Sequence, residues 1–440
     1  MLKDKPVYGL YFLCLYLPFY LTLQIMTYQF TNSVILVTLL KVLKEFMVFA
    51  VIFSWLLYKK KALHTPLKLH TLDYLFIAFT AYLLLFTILP IGPVGILGRL
   101  NYFRNMLVLV GMYFLGRTVV LNKQQVGTLF KIIFAVTVLA FVLGAFEKLT
   151  NTHFQSLIGY SRFSLDISNI EPAGSYGLTW TFQAESGAKR FAAFFASPLE
   201  LGPAMLISFA AAFFLFLRYR DKVSRLAYGA LVMLSVAGLF FSYSRAALLG
   251  FFMLLFFIAL ILGYYRLIYL GVLVVVVFLA GIFLLAGDDL RYFVIDTINL
   301  ADSSSLGHVV EWLEGLESIA SNPQGLGLGT SGNAGGVDDE FKIGGENQFI
   351  IFGVQLGVPF LLIYLALVFC SIYYPVKAFK ISDQPHEQII AFVAATFKFA
   401  FILALMTANA ENYLYVAYLS WWMVGQSVTT YYQKRYAQAA

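Results

Sequence analysis

The sequence predicts an all-α polytopic membrane protein with about twelve transmembrane helices. Two observations carry this. Of 440 residues, 60% are apolar and only 12% charged, with mean hydropathy +0.80. A soluble domain has roughly 45–50% apolar and about 25% charged residues. Second, the apolar residues gather into runs of the length that crosses a bilayer, about 20 residues each. They lie near 7–24, 34–57, 72–91, 104–120, 128–147, 194–217, 226–242, 246–263, 267–286, 347–373, 388–408 and 412–431. The whole chain, 1–440, reads as one transmembrane domain.

The first run follows a charged start, MLKDKPVYGLYFLCLYLPFY, with no small-x-small cleavage pattern. It is expected to be a retained span. The second carries Lys41, Lys44 and Glu45. An i,i+4 Lys41–Glu45 pair and a bundle-facing polar stripe are expected there. If the N-terminus is cytoplasmic and the spans alternate, basic residues outside the spans favour the cytoplasmic side roughly two to one. That bias also accounts for the net charge of +7 without nucleic acid. Both termini are therefore expected in the cytoplasm. Cys14 and Cys370 fall inside apolar runs and read as buried hydrophobes.

This topology leaves two long external loops, 148–193 and 287–346. In the second, SSSLGHVVEWLEGLESIASNP opens on cap-type serines. Leu306, Val309, Val310, Leu313, Leu316 and Ile319 then recur at helical spacing until Asn322-Pro323. An amphipathic helix is expected, lying on the membrane surface or over the bundle. A glycine-rich, mobile stretch should follow. No internal repeat is found, which weakens an inverted-repeat transporter.

The residues that could carry chemistry lie on the external side. KRFAAFFASPLELG brings Lys189 and Arg190 to the outer end of the sixth span. FFSYSRAALLGF puts Ser244 and Arg245 in a short outer turn. Arginine's planar fork suits phosphate, although snorkelling to headgroups would also place it there. Glu346 stands immediately before the tenth span, followed by Asn347 and Gln348. Its carboxylate could accept a proton from a hydroxyl or cap the helix. Asp338, Asp339 and Glu340 read as a solvated acidic loop. Glu200 and Lys398, at membrane depth, suggest a structural ion pair or cavity lining. The five histidines, His308 among them, have no metal-ligand spacing. No metal and no cofactor is expected.

Four stretches in the order 189–365 resemble the bacterial O-antigen ligase and O-unit polymerase (Wzy-type) superfamily. RFAAFFASPLELG is similar to its R-x-x-G-F-F-x-x-P-x-x-x-G pattern, with Ala193 where glycine is common. YSRAALLGF resembles its S-R-[GA]-A segment, and NPQGLGLGT its P-x-G-x-G-x-G-[TS] loop. ENQFIIFGVQLGVPF resembles its H-N-x-x-L…E-x-G-x-x-G stretch, with Glu346 in place of the histidine. His308 stands near where an arginine often starts the external helix. The resemblance implies a GT-C-like membrane glycosyltransferase of the bacterial plasma membrane. Its substrate would be an undecaprenyl-diphosphate-linked oligosaccharide, used at the outer face. Glu346 favours a polymerase of O-antigen, capsule or exopolysaccharide repeat units over a ligase to lipid A–core. Arg190 and Arg245 would hold the diphosphate, and Glu346 would act on the acceptor hydroxyl. Lys189, Ser244, Asn347, Gln348 and His308 would line the substrate site. A glycan or lipid-linked acceptor, membrane lipids, and a chain-length regulator or flippase are the implied partners. A flippase or exporter of lipid-linked glycans is the rival from another class.

Overall fold

A computed structural model describes residues 6–58, 68–184, 187–285, 303–332 and 343–439. Among them there are helices and turns but no strand. In chain order the long helices are α1 (Val7–Thr31, interrupted by a 3₁₀ turn at Leu17–Phe19), α2 (Val34–Tyr58), α3 (Thr71–Ile88), α4 (Ile96–Thr118) and α5 (Lys123–Thr150). The short α6 (Tyr160–Ser168) precedes α7 (Pro198–Arg218), α8 (Lys222–Phe241), α9 (Arg245–Leu262) and α10 (Tyr265–Leu285). Then come α11 (Ser303–Ser321), α12 (Gln348–Ile381), α13 (Pro385–Thr407) and α14 (Leu414–Ala439).

Each of the twelve apolar runs is helical. Eight helices among the described residues are long and apolar enough to cross a membrane: α1, α3, α5, α7, α8, α9, α12 and α13. The protein is thus an α-helical bundle with the hallmarks of a polytopic membrane protein. Of the remaining four, α2 is interrupted by Lys41, Lys44 and Glu45, and α4 by Arg99, Arg104 and Arg117.

At the centre of the bundle, α13 packs against α7, α9, α12 and α14. Lipid tails offer helices no hydrophobic incentive to associate, so close packing of small residues must do it. The α4–α14 contact shows how. A Cβ on Gly116 would strike the Trp422 carbonyl, and one on Gly425 the Tyr113 carbonyl. The two backbones touch where side chains are missing. At one end of this contact, Arg117 donates to both carboxylate oxygens of Asp73 (2.9 and 3.0 Å) and to Thr429 Oγ1 (2.7 Å). Tyr113 Oη donates to Asp73 as well, at 2.6 Å. The buried charges are therefore paired and hydrogen-bonded, as low dielectric requires.

Helix α12 is broken at Gly357, whose φ is +78°. A break frees carbonyls that must find donors inside the protein. The stretch after α11 supplies them. Leu326 N–H donates to Val354 O (2.8 Å) and Gly327 N–H to Gln355 O (2.9 Å), while Val358 N–H donates to Pro323 O (2.8 Å). Gly325 and Gly327 hold φ of +90° and +107°, and a Cβ on either would meet neighbouring backbone. Leu328 and Ser331 are fully buried. The first part of the glycine-rich stretch is thus packed into the bundle instead of mobile. Glycine here serves close backbone approach. Residues 333–342, including Asp338, Asp339 and Glu340, lie outside the described residues.

Two further expectations change. Helix α11 ends at Ser321, as Asn322-Pro323 predict, but its inward stripe is Trp312, Gly315 and Ile319, packed on Ile350 and Val354. Leu306, Val310, Leu313 and Leu316 remain exposed. On α2, Glu45 pairs with its neighbour Lys44 (2.8 Å) and with Arg104 of α4 (3.7 Å), not with Lys41. Lys44 is drawn back because the Lys41 carbonyl and Tyr20 Oη also accept from its ammonium, each at 3.1 Å.

Candidate functional site

The turn that carries Arg190 is held at almost every backbone group. Glu147, at the end of α5, accepts from Phe154 N–H (2.8 Å) through one oxygen and from Ala193 N–H (2.9 Å) through the other. Gln155 Nε2 donates to Phe195 O at 2.6 Å, and Thr22 Oγ1 to Phe194 O at 2.9 Å. Arg190 N–H donates to Phe182 O, and Phe191 N–H to Phe241 O, both at 2.9 Å. Ala193 sits at φ +51°, a left-handed conformation that glycine adopts at no cost. That is the position where the resembled pattern has glycine.

The Phe191–Phe241 bond ties this turn to the one bearing Arg245. In that second turn Ser242 Oγ donates to Leu239 O (2.7 Å), and Ser244 Oγ accepts from Ala247 N–H (3.3 Å). Ser244 is therefore the N-cap of α9, and its hydroxyl is engaged there. Arg245 follows as the first helical residue and is exposed. Lys189 is also committed locally. Its ammonium donates to Asn151 O (2.6 Å) and lies 4.2 Å from the centre of the Tyr176 ring. It fastens the 148–193 loop.

Asn347, not Glu346, caps α12. Its Oδ1 accepts from Phe349 N–H (3.0 Å) and Ile350 N–H (3.3 Å). The Glu346 carboxylate is left with its side chain 46% exposed, and His308 Nδ1 of α11 lies 3.4 Å from it. Glu311, one turn beyond His308, completes a cluster of two carboxylates and an imidazole. Burial pushes the Glu311 carboxyl up, and the nearby Glu346 charge pushes it further, while His308 opposes.

The turn Ala410–Asn412 between α13 and α14 closes the arrangement. Gln348, fully buried, accepts from Glu411 N–H at 3.3 Å. Tyr413, next after this turn, is partly buried, and the charges of Glu346, Glu200 and Arg190 all act on its phenol. Glu200 itself accepts from Tyr415 N–H (2.9 Å), an amide in the first turn of α14. Lys398 is buried with no hydrogen-bond partner among the described residues. Its ammonium lies 3.6 Å from the centre of the Trp421 ring and is drawn electrostatically to Glu411. Glu411 accepts from Tyr364 Oη (2.8 Å) and Trp421 Nε1 (3.0 Å). No group of three or more His, Cys, Asp or Glu suited to a metal occurs among the described residues.

Glu147, Glu311 and Tyr413 were not singled out in the sequence. Only the polar interruption NAEN between two apolar runs signals the last of them. Comparison with models of known protein families and with curated proteins finds no match to this chain.

Proposed function

We propose that this protein is a membrane glycosyltransferase acting on a lipid-diphosphate-linked glycan, used as a polymerase of repeat units at the outer face of the bacterial plasma membrane. One observation carries the reading. With Asn347 as the cap, Glu346 keeps a solvent-reachable carboxylate beside His308, in electrostatic reach of the same phenol as Arg190. Glycosyl transfer from a diphosphate needs an acid–base group and cations for the leaving group, roles that Glu346 and the turns of Arg190 and Arg245 would fill. In this reading all twelve long apolar helices cross the membrane, including α2, α4, α10 and α14, with both termini in the cytoplasm.

The step is a substitution at the anomeric carbon. The acceptor hydroxyl gives its proton to Glu346 as its oxygen forms the new glycosidic bond. The bond from the anomeric carbon to the lipid diphosphate breaks, and the lipid diphosphate leaves with that electron pair. Arg190 and Arg245, on turns tied by the Phe191–Phe241 bond, stabilise the charge that develops on it. His308 orients the Glu346 carboxylate. The packed 325–332 segment and α11 supply a wall beside the site.

Glu346→Gln keeps shape and removes basicity. With purified lipid-linked donor and acceptor, product formation should fall about 100-fold or more, within the range of acid–base catalysis. Donor binding should persist. Normal turnover by this variant would remove the base from the mechanism. In cells lacking the protein, surface glycan reduced to single repeat units supports a polymerase. Full-length lipid-linked polymer that never reaches lipid A would assign ligation instead.

A further inference from the structure

A second cationic site adjoins the 410–412 turn. A cavity of about 270 Å³ is lined by Tyr20 of α1, Lys41 and Lys44 of α2, Arg104 of α4, and Glu411 and Asn412. Lys41 and Lys44 follow the start of α2 at Val34 by two to three turns, so they sit about 10–15 Å along it. Charges held within a membrane helix bundle are costly and ordinarily serve a ligand or a partner.

The cations outnumber the anions available to them. Glu45 answers both Lys44 and Arg104, and Lys41 makes no ion pair among the described residues. Glu411 is already held by Tyr364 and Trp421 and faces Lys398. Arg104 keeps 48% of its side chain exposed, so part of its guanidinium fork is open to a ligand. An apolar groove of about 470 Å³ lies along α2, lined by Thr27 of α1 and by Leu36, Leu39, Leu40, Leu43 and Phe46 of α2. Successive helix residues step by about 100°, so Leu40 and Lys44 are near neighbours on one face of α2. A soluble anion would need the cavity alone. A hydrocarbon chain ending in a multiply charged anion would fill both.

We propose that this pair of sites binds the phosphate or diphosphate headgroup of a membrane lipid, with Lys41, Lys44 and Arg104 on the phosphate oxygens and the lipid chain in the groove along α2. The inference is about binding and does not depend on the transfer reaction assigned to Glu346.

The test uses full-length Arg190→Gln/Arg245→Gln protein, which lacks the cations assigned to the transfer donor, in phosphatidylcholine nanodiscs, with farnesyl diphosphate and inorganic diphosphate as probes. This background protein should bind farnesyl diphosphate at least tenfold more tightly than inorganic diphosphate. Adding Lys41→Gln/Arg104→Gln alters two partly exposed side chains and should weaken farnesyl diphosphate at least tenfold. Adding Leu39→Trp fills the groove without touching the cations. It should weaken farnesyl diphosphate and leave inorganic diphosphate unchanged. Adding Glu346→Gln should leave both affinities unchanged. Unchanged farnesyl diphosphate binding by folded Lys41→Gln/Arg104→Gln protein overturns the site. Equal affinity for the two probes overturns the lipid assignment.

Discussion

Removing the Glu147 carboxylate should open the turn that presents Arg190. Its two oxygens hold the amides of Phe154 and Ala193 at 2.8 and 2.9 Å, and the residue is fully buried. Glu147→Ala leaves the buried Ala193 amide and the half-buried Phe154 amide without an acceptor. Each such orphan costs about 1–3 kcal/mol, so the closed turn should lose roughly 2–6 kcal/mol. That corresponds to an increase in opening of about 30-fold to 20,000-fold. Glu147→Gln retains one acceptor oxygen and turns an amide N–H₂ toward the other donor, so its effect should be smaller. The opening can be read with a single cysteine at the fully buried Ala192, in a chain whose Cys14 and Cys370 are replaced. The labelling rate of Ala192→Cys should rise steeply in Glu147→Ala protein. A rate equal to that of the Glu147 protein would mean the turn does not depend on this carboxylate, and the account of how Arg190 is positioned would fail.

Ala193→Gly should be close to neutral in a detergent stability assay. Relief of the left-handed backbone gains about 1–2 kcal/mol, against about 0.5–1 for glycine's greater unfolded freedom and about 0.8 for the lost buried methyl. Ala193→Val adds a β-branched side chain at the same φ and should abolish folding of the turn; equal stability of the two variants would refute the argument. Gly116→Leu or Gly425→Leu should separate α4 from α14, costing about 3 kcal/mol or more, whereas Gly271→Leu on α10, with nothing near it, should be tolerated. Burial, and secondarily Lys189, hold the His153 imidazole down to about 4. Above the usual value near 6.5 it is neutral folded or unfolded, so it adds no pH dependence; as pH falls from about 6.5 to about 4 only the open form protonates, and the closed loop loses stability. Hydrogen exchange of residues 151–184 should therefore accelerate over that window, and His153→Phe, packed among Tyr176, Phe182 and Phe191, should abolish the acceleration.

The membrane class and the places of the helices were legible in the sequence because hydropathy is a local property. A run such as 388–408 has one stable conformation in hydrocarbon whatever surrounds it. The C-terminal bound of α11 was legible for a related reason, since Asn322-Pro323 act on adjacent backbone. The cluster around Glu346 was visible only in part. Glu346, Arg190 and His308 stand out as charged or titratable groups at the ends of apolar runs, but nothing local says that Asn347 takes the cap and frees Glu346. Glu147 meets Ala193 across 46 residues, and Gln348 meets Glu411 across 63. The burial of the 325–328 segment depends on the break at Gly357, and the inward face of α11 depends on where Ile350 and Val354 lie. Tertiary structure alone decides these, because a cap, a kink or an ion pair is settled by competition among partners that only folding brings within reach.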